Sequence, residues 1–290
     1  LKNLLKKYNL KPNFTYGQNF LIDDGVLEDI VDAADISSRD QILEIGPGIG
    51  NLTRRLCERA GFVLSVEKDP EFLSILKSIK KDNPKNFRFE IADVLEFDFQ
   101  SVFSSPPLRG GARGGWNLNY ESPLLNPPPQ GEEIIKYKVV ANIPYYITGK
   151  ILEMLMNVKL KASSITILTQ KEVAERVCAK AGSLSVLAIS VQIFGEPKIV
   201  RMVPSSVFYP KPKVDSAILQ IQMHQEPQYA IADEKKFFRI VKACFVGKRK
   251  QIHNTLVNNL KLDKDQVAGI LSVLKINPAA RPQELTIEDW

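Results

Sequence analysis

Four consecutive residues, Asn142-Ile143-Pro144-Tyr145, bring together groups able to activate a weak nucleophile. An amine conjugated to a flat aromatic base is unreactive because the ring shares its lone pair. Two acceptors aimed at its two hydrogens localise that pair and turn it toward an electrophile. The Asn142 carboxamide oxygen can be one acceptor and the Ile143 carbonyl the other. Pro144, which has no N–H, helps keep that carbonyl away from ladder pairing. Tyr145 offers a face on which an unstacked base can rest, a contact worth about 1–3 kcal/mol. No strong base is needed, since the amine becomes acidic once alkylated, and catalysis then rests on orientation and dipole placement. Taken alone, the four residues also suit a strand that ends in an Asn-x-Pro turn.

A second group could hold the electrophile. Gly46-Pro47-Gly48-Ile49-Gly50 follows the apolar run 41–45, and Glu67 ends the next apolar run. That is about the twenty-residue distance at which an acid commonly holds ribose hydroxyls. Gly46 and Gly48 permit close backbone approach and positive φ. The spacing is Gly-x-Gly-x-Gly, not the Gly-x-Gly-x-x-Gly that seats a pyrophosphate, which disfavours a nicotinamide dinucleotide and suits S-adenosylmethionine. A purely structural turn remains open for these glycines. Glu44, inside the first apolar run, needs a polar partner nearby. Asp93, after a third run, can accept a hydrogen bond from a ligand's adenine or merely cap the next element.

These residues are useful only if the chain brings strand ends together. Apolar runs at 41–45, 62–66, 87–92, 137–141 and 164–169 read as buried strands. Helical patterns at 51–60 and 70–80 lie between them, the latter opening in the cap-then-proline order Asp69-Pro70. Val26, Leu27, Ile30 and Val31 mark an earlier helix. This alternation predicts an α/β fold with a largely parallel sheet, whose ligands bind at the carboxyl ends of the strands.

Residues 101–131 carry Pro106-Pro107, two Arg-Gly-Gly pieces and three successive prolines, a composition that reads as a flexible insertion between the third and fourth strands. The polar stretch 220–230 reads as a linker. Helical periodicity without strand signal at 234–260 and 265–274 predicts a small all-helical second domain. Net charge is +6, which suits a polyanionic partner without demanding one. The three widely spaced cysteines argue against zinc and disulfides. No run is long enough to span a membrane, and the lysine-interrupted start does not read as a secretory signal, so a cytoplasmic protein is expected.

Together, Gly17-Gln18-Asn19-Phe20-Leu21, Leu43-Glu44-Ile45-Gly46-Pro47-Gly48, Val66-Glu67, Ala92-Asp93, Asn142-Ile143-Pro144-Tyr145 and the run from Phe208 to Ser216 (FYPKPKVDS) are highly specific, and they span nearly the whole chain. The sequence resembles the ribosomal RNA adenine dimethyltransferase family. The resemblance implies a Rossmann-like S-adenosylmethionine methyltransferase domain over residues 1–222 and a helical rRNA-binding domain over 230–290. It implies Asn19, Leu21, Gly46, Gly48, Glu67, Asp93 and Asn142 around the cofactor, no metal, and a monomer. It also implies that Phe208 packs on the target adenine opposite Tyr145; on the residues alone, Phe208 could equally be a core aromatic.

The family has two branches. One dimethylates two adjacent adenines near the 3′ end of 16S rRNA in an immature small ribosomal subunit; the other modifies a large-subunit adenine and gives macrolide resistance. The run from Phe245 to Leu256 (FVGKRKQIHNTL) and the stretch from Arg281 to Thr286 look like the small-subunit branch. Lys248, Arg249 and Lys250 can neutralise phosphates and fix orientation without reading sequence, although a solvated helix face has the same composition. The 101–131 insertion is longer and richer in Pro and Gly than the family usually shows. The family usually continues a helix where Trp290 ends this sequence, so a short last helix is expected.

Overall fold

Alternate residues of the central strands send their side chains to opposite faces, and both faces are buried. Ile42 and Val63 join one core while Leu43 and Leu64 join the other. That is why these strands read as nearly continuous apolar runs. The computed structural model describes residues 2–8, 10–13, 17–103, 137–247 and 249–290. Along the chain come α1 (Lys2–Lys7), β1 (Phe20–Leu21), α2 (Asp24–Ala33), β2 (Gln41–Ile45), α3 (Asn51–Arg59), β3 (Phe62–Glu67), α4 (Leu73–Asp82), β4 (Phe87–Ile91) and α5 (Gln100–Phe103). There follow β5 (Tyr137–Asn142), α6 (Thr148–Asn157), β6 (Ser164–Gln170), α7 (Lys171–Val177), α8 (Val186–Gln192), β7 (Gly195–Val203), β8 (Phe208–Tyr209) and β9 (Ser216–Met223). The last helices are α9 (Glu234–Phe245), α10 (Ile252–Leu260) and α11 (Lys264–Val273).

The main sheet has the order β4-β3-β2-β5-β6-β9-β7. The first five strands pair in parallel, and β9 runs antiparallel to both β6 and β7. Helices α2, α3 and α4 cover one face through Ile30, Leu56 and Ile75; α6 and α7 cover the other through Ile151, Leu155 and Val177. The chain reverses its direction of strand addition between β4 and β5. The carboxyl ends of β2, β3 and β5 therefore border one crevice, where an open α/β sheet binds its ligand.

Three expectations need correction. The stretch 220–230 does not begin as a linker, because β9 runs through Met223. Its glutamines are tolerated there because their amides find carbonyls: Gln222 Nε2 donates to Ser163 at 3.1 Å, and Gln220 donates to Ala33. The helical reading of 234–260 is broken, since α9 ends at Phe245 and the chain turns through Gly247 at φ +101° before α10. Arg249 and Lys250 of the basic run therefore lie outside any helix. The start of the 101–131 segment is ordered: Phe103 in α5 is buried and stacks on Tyr137 with centroids 4.7 Å apart. Residues 104–131 lie outside the described residues.

The helical part is packed onto the sheet domain rather than tethered to it. Val241 and Phe245 of α9 join Ala188 and Ile189 of α8 in one apolar cluster. Gln283 accepts backbone hydrogen bonds from Gly182 at 2.8 Å and Leu184 at 3.3 Å. Among the described residues, no helix is long and apolar enough to cross a membrane, and no group of three His, Cys, Asp or Glu side chains is placed to hold a metal ion.

One acid interrupts the apolar centre. Glu44 of β2 is 1% exposed, and Ser65 Oγ donates to its Oε2 at 2.5 Å. Burial pushes its carboxyl up to about 7, with Ser65 and Thr53 opposing the rise and nearby Glu67 adding to it. In the unfolded chain the same group titrates near 4.5. The folded state thus binds the extra proton between those values. The stability this contributes is complete below 4.5 and lost as pH rises through about 7. Glu44→Gln keeps the acceptor for Ser65 and cannot ionise. Its stability relative to the parent is expected to rise across that window, by up to about 3 kcal/mol at pH 8. Urea unfolding without cofactor at a series of pH values reads this, and a difference that does not vary with pH refutes it.

Candidate cofactor and base site

The turn after β2 is held by a carboxylate from the neighbouring strand. Glu67 ends β3, and its Oε2 accepts the Gly48 N–H at 3.0 Å while Oε1 accepts the Asp69 N–H at 2.8 Å. Burial, the largest influence, raises its pKa, and those two N–H groups work against the rise. The turn is left-handed at Gly46, Gly48 and Gly50. At Gly50, φ is +75° and a Cβ would fall 2.2 Å from Ile79 Cδ1, so a side chain there is both strained and crowded. At Gly46, φ is +70° and nothing lies within 4 Å of where a Cβ would stand. That bare backbone faces the crevice.

The segment from Gly17 to Leu21 straps across this turn. The Phe20 ring lies 3.5 Å from where a Gly48 Cβ would be, and Asn51 Nδ2 donates to the Leu21 carbonyl at 3.1 Å. Gln18 Nε2 donates to Asp69 Oδ2 at 2.6 Å, while the Gln18 side-chain oxygen accepts the Asn13 N–H at 2.8 Å. Asp69 is 4% exposed, and its Oδ1 also accepts the Glu71 N–H at 3.0 Å, starting the turn that leads into α4. Gln18 and Asp69 were absent from the residues singled out by sequence. Gln18 lies inside the Gly17–Leu21 motif, and Asp69 is legible in the sequence only as a helix cap before Pro70.

The same crevice is lined by Asn19, Leu21, Gly46, Gly48, Glu67, Asp93, Asn142, Ile143, Pro144 and Tyr145, so the structure brings together every residue expected around the cofactor. Asn142 Nδ2 points at the Asn19 carbonyl from 3.5 Å, long for a hydrogen bond, which leaves Oδ1 as the outward acceptor. Ile143 is 1% exposed and its N–H donates to Leu168 at 3.2 Å, anchoring the chain one peptide before the second acceptor. Tyr145 is half-buried with its hydroxyl 2.6 Å from Ser216 Oγ. Tyr146, also on the crevice and 61% exposed, adds an aromatic face that the sequence reading passed over. Asp93 caps the turn that follows it. It lines the crevice, and its oxygens engage Lys68 Nζ at 2.7 Å and the Leu95 N–H at 3.0 Å. The Lys68 ammonium is the main reason its carboxyl sits below the usual range.

Two expected groups stand elsewhere. Phe208 is 3% exposed and packs in the core with Leu21 and Ile218, not in the crevice. The cause is the antiparallel pairing of β8 with β1, Leu21 opposite Phe208, which turns the ring inward. Arg249 and Lys250 are exposed in the turn between α9 and α10. Lys248 lies outside the described residues.

These residues fit S-adenosylmethionine. The bare backbone at Gly46 admits close approach, and Glu67 is a fixed acceptor at a strand end, suited to ribose hydroxyls. Glu44 Oε1 is buried on the same crevice without a hydrogen-bond partner among the described residues. A buried acceptor of that kind calls for a donor, and the cofactor carries an ammonium group.

The comparisons with known proteins agree with this geometry. A family profile described as ribosomal RNA adenine dimethylase matches residues 9–290. The chain is 35% identical over 289 residues to a ribosomal RNA small subunit methyltransferase A of Dehalococcoides mccartyi strain CBDB1, covering 100% of this chain and 89% of that protein. It is 37% identical over 294 residues to the protein of the same name from Clostridium botulinum strain Langeland, covering 100% and 95%. Among solved structures, the 23S rRNA methyltransferase ErmE superposes with a TM-score of 0.67 at 27% identity, over 94% of this chain and 96% of that one. A dimethyladenosine transferase from Plasmodium falciparum shares the fold, with a TM-score of 0.72 at 24% identity over 93% and 94%. The chain belongs to the ribosomal RNA adenine dimethylase family.

Proposed function

We propose that this protein dimethylates the exocyclic amines of two adjacent adenines near the 3′ end of 16S rRNA, during assembly of the small ribosomal subunit. The observation that carries the chemistry is Asn142, which lines the crevice beside Ile143 and Tyr145 with its carboxamide nitrogen turned toward the Asn19 carbonyl. The choice of the small-subunit branch is supported by full-length relatives at 35% and 37% identity named for that subunit, against 27% for the large-subunit enzyme. The same reading places the reaction in the cytoplasm, on an immature subunit, with one copy of the chain acting.

Asn19, Leu21, Gly46, Gly48, Glu67, Asp93 and Asn142 would hold S-adenosylmethionine, which supplies a methyl group on a sulfonium. A target adenine must first leave its stack, because its amine is otherwise buried in paired RNA. Asn142 Oδ1 and the Ile143 carbonyl accept the two amine hydrogens and localise the nitrogen lone pair. Tyr145 supports the flat face of the base. After alkylation the acidic proton passes to water, so none of these residues need change its charge. Strand β5 carries Asn142, and the Ile143 N–H bond to Leu168 anchors the chain just before the second acceptor, so catalysis rests on placement made before the base arrives. Arg249 and Lys250 neutralise phosphates at a distance from the reacting atoms.

Incubation with labelled cofactor and undermethylated small subunits tests the assignment. Label in two adjacent adenines of 16S rRNA is expected, and label confined to large-subunit rRNA, or none at all, overturns it. Asn142→Ala should lower the transfer rate by at least about 100-fold, the scale of losing a preorganised dipole. Its affinity for S-adenosylhomocysteine should change less than about tenfold, since one of several contacts is lost. Turnover at the wild-type rate would remove Asn142 from the mechanism. Arg249→Ala with Lys250→Ala should weaken subunit binding and flatten the plot of log affinity against log salt by about two ion equivalents, leaving S-adenosylhomocysteine binding unchanged. An unaltered slope would take these residues off the RNA.

A further inference from the structure

Tyr145 is fixed at both ends. Its backbone follows Pro144 on the turn after β5, and at the far end its hydroxyl meets Ser216 Oγ at 2.6 Å. Ser216 is fully buried at the first position of β9, opposite Gln170 of β6 and Val203 of β7. The residue before it is fastened as well. The Asp215 carbonyl accepts the Lys171 N–H at 3.1 Å, and Asp215 Oδ1 accepts the Ser205 N–H at 2.8 Å. The loop from 205 to 215 is thus closed at its base, and Ser216 belongs to the sheet rather than to that loop. A hydroxyl on so fixed a backbone is a rigid stop for the ring.

A half-buried phenol needs a polar partner, and one neutral bond would satisfy that need wherever the partner stood. The location is what matters here. The tie is at the hydroxyl tip, so it restrains the ring where Tyr145 lines the crevice. Dimethylation asks more of the ring's face than a single transfer does. After the first methyl the amine has one hydrogen left, so one of the two acceptors on Asn142 and Ile143 loses its partner. Stacking then carries a larger share of the hold on the base.

We propose that Ser216 is a positioning residue which, through Tyr145, keeps the monomethylated adenine seated for the second transfer. This rests on the reading of Tyr145 as the base-supporting ring. The bond would contribute little to the first transfer, when both acceptors are engaged, and most to the second.

The test is single-turnover methylation of undermethylated small subunits, resolving monomethyl- from dimethyladenine by mass spectrometry of the digested RNA. Ser216→Ala should raise the ratio of monomethyl to dimethyl product by about three- to tenfold, the range that one neutral hydrogen bond is worth. The rate of the first transfer should stay within about twofold. Tyr145→Phe, which deletes the same bond from the other side and keeps the ring, should give the same ratio, and the double variant should add nothing further. Ser216→Thr, which retains the hydroxyl, should restore the wild-type ratio. If Ser216→Ala does not fold, Tyr145→Phe carries the test alone. An unchanged ratio in Tyr145→Phe, or equal loss of both transfers in Ser216→Ala, overturns the proposal. Wild-type protein that leaves small subunits unmethylated would instead overturn the functional reading itself.

Discussion

A carboxylate accepting two backbone N–H groups at the end of β3 is the constraint on which the site depends. Glu67 cannot be moved without releasing Gly48 on one side and Asp69 on the other. Gly48 belongs to the left-handed turn after β2, and Asp69 starts the chain toward α4 and holds Gln18 of the N-terminal strap. Two strand ends and a distant segment are therefore referred to one buried acid. Burial works against the charge on Glu67, and the N–H donors work for it. A neutral amide at that position would offer one acceptor where two are used, which explains why an acid is needed before any ligand arrives.

The strands β2, β3, β5 and β6 were legible because both faces are buried, which writes each as an unbroken apolar run. The residues that follow them were legible for the same reason: a glycine turn, an acid or an amide after such a run has no other obvious task. Strands β7 and β9 were not. β7 is an edge strand with several exposed side chains, and β9 carries Gln220 and Gln222, whose amides are satisfied by carbonyls far away in sequence. The break between α9 and α10 was hidden because apolar residues continue at helical spacing through Gly247, and only tertiary packing decides where the helix stops. Phe208 shows the limit of motif reading. Its place in a recognised run located the loop, but the pairing of Leu21 with Phe208 decided which way the ring faces. Gln18 and Ser216 escaped because their partners, Asp69 and Tyr145, are 51 and 71 residues away.

On the proposed function, the crevice and the basic turn would bind by different physics. In the crevice, acceptors and aromatic faces sit on strand ends whose backbone is locked by ladder bonds. Their contribution lies in being placed in advance and depends little on salt. At the turn between α9 and α10, exposed Arg249 and Lys250 have no such fixation, and their attraction to phosphate is screened within about 8 Å at physiological salt. Basic groups of this kind can orient a large RNA but cannot choose an adenine. Selection must come from which base can reach the crevice and lie flat there. The packing of α9 on α8 makes that reach a fixed distance rather than a matter of chance.

The strap and the aromatic loop are not independent parts. Phe20 and Leu21 pair with Tyr209 and Phe208, and the Ile22 N–H donates to Val207 at 3.0 Å, so one short antiparallel ribbon carries both segments. That ribbon meets the turn after β5 through Asn19, which Asn142 approaches, while Tyr145 of the same turn is tied to Ser216 of the main sheet. The strap cannot be displaced without either carrying β8 with it or breaking the β1–β8 pairing. The inward ring of Phe208 lies on that same ribbon. The ribbon's two strands are only two residues each and stand apart from the seven-stranded sheet, so far fewer ladder bonds hold the strap than hold the strand that carries Asn142.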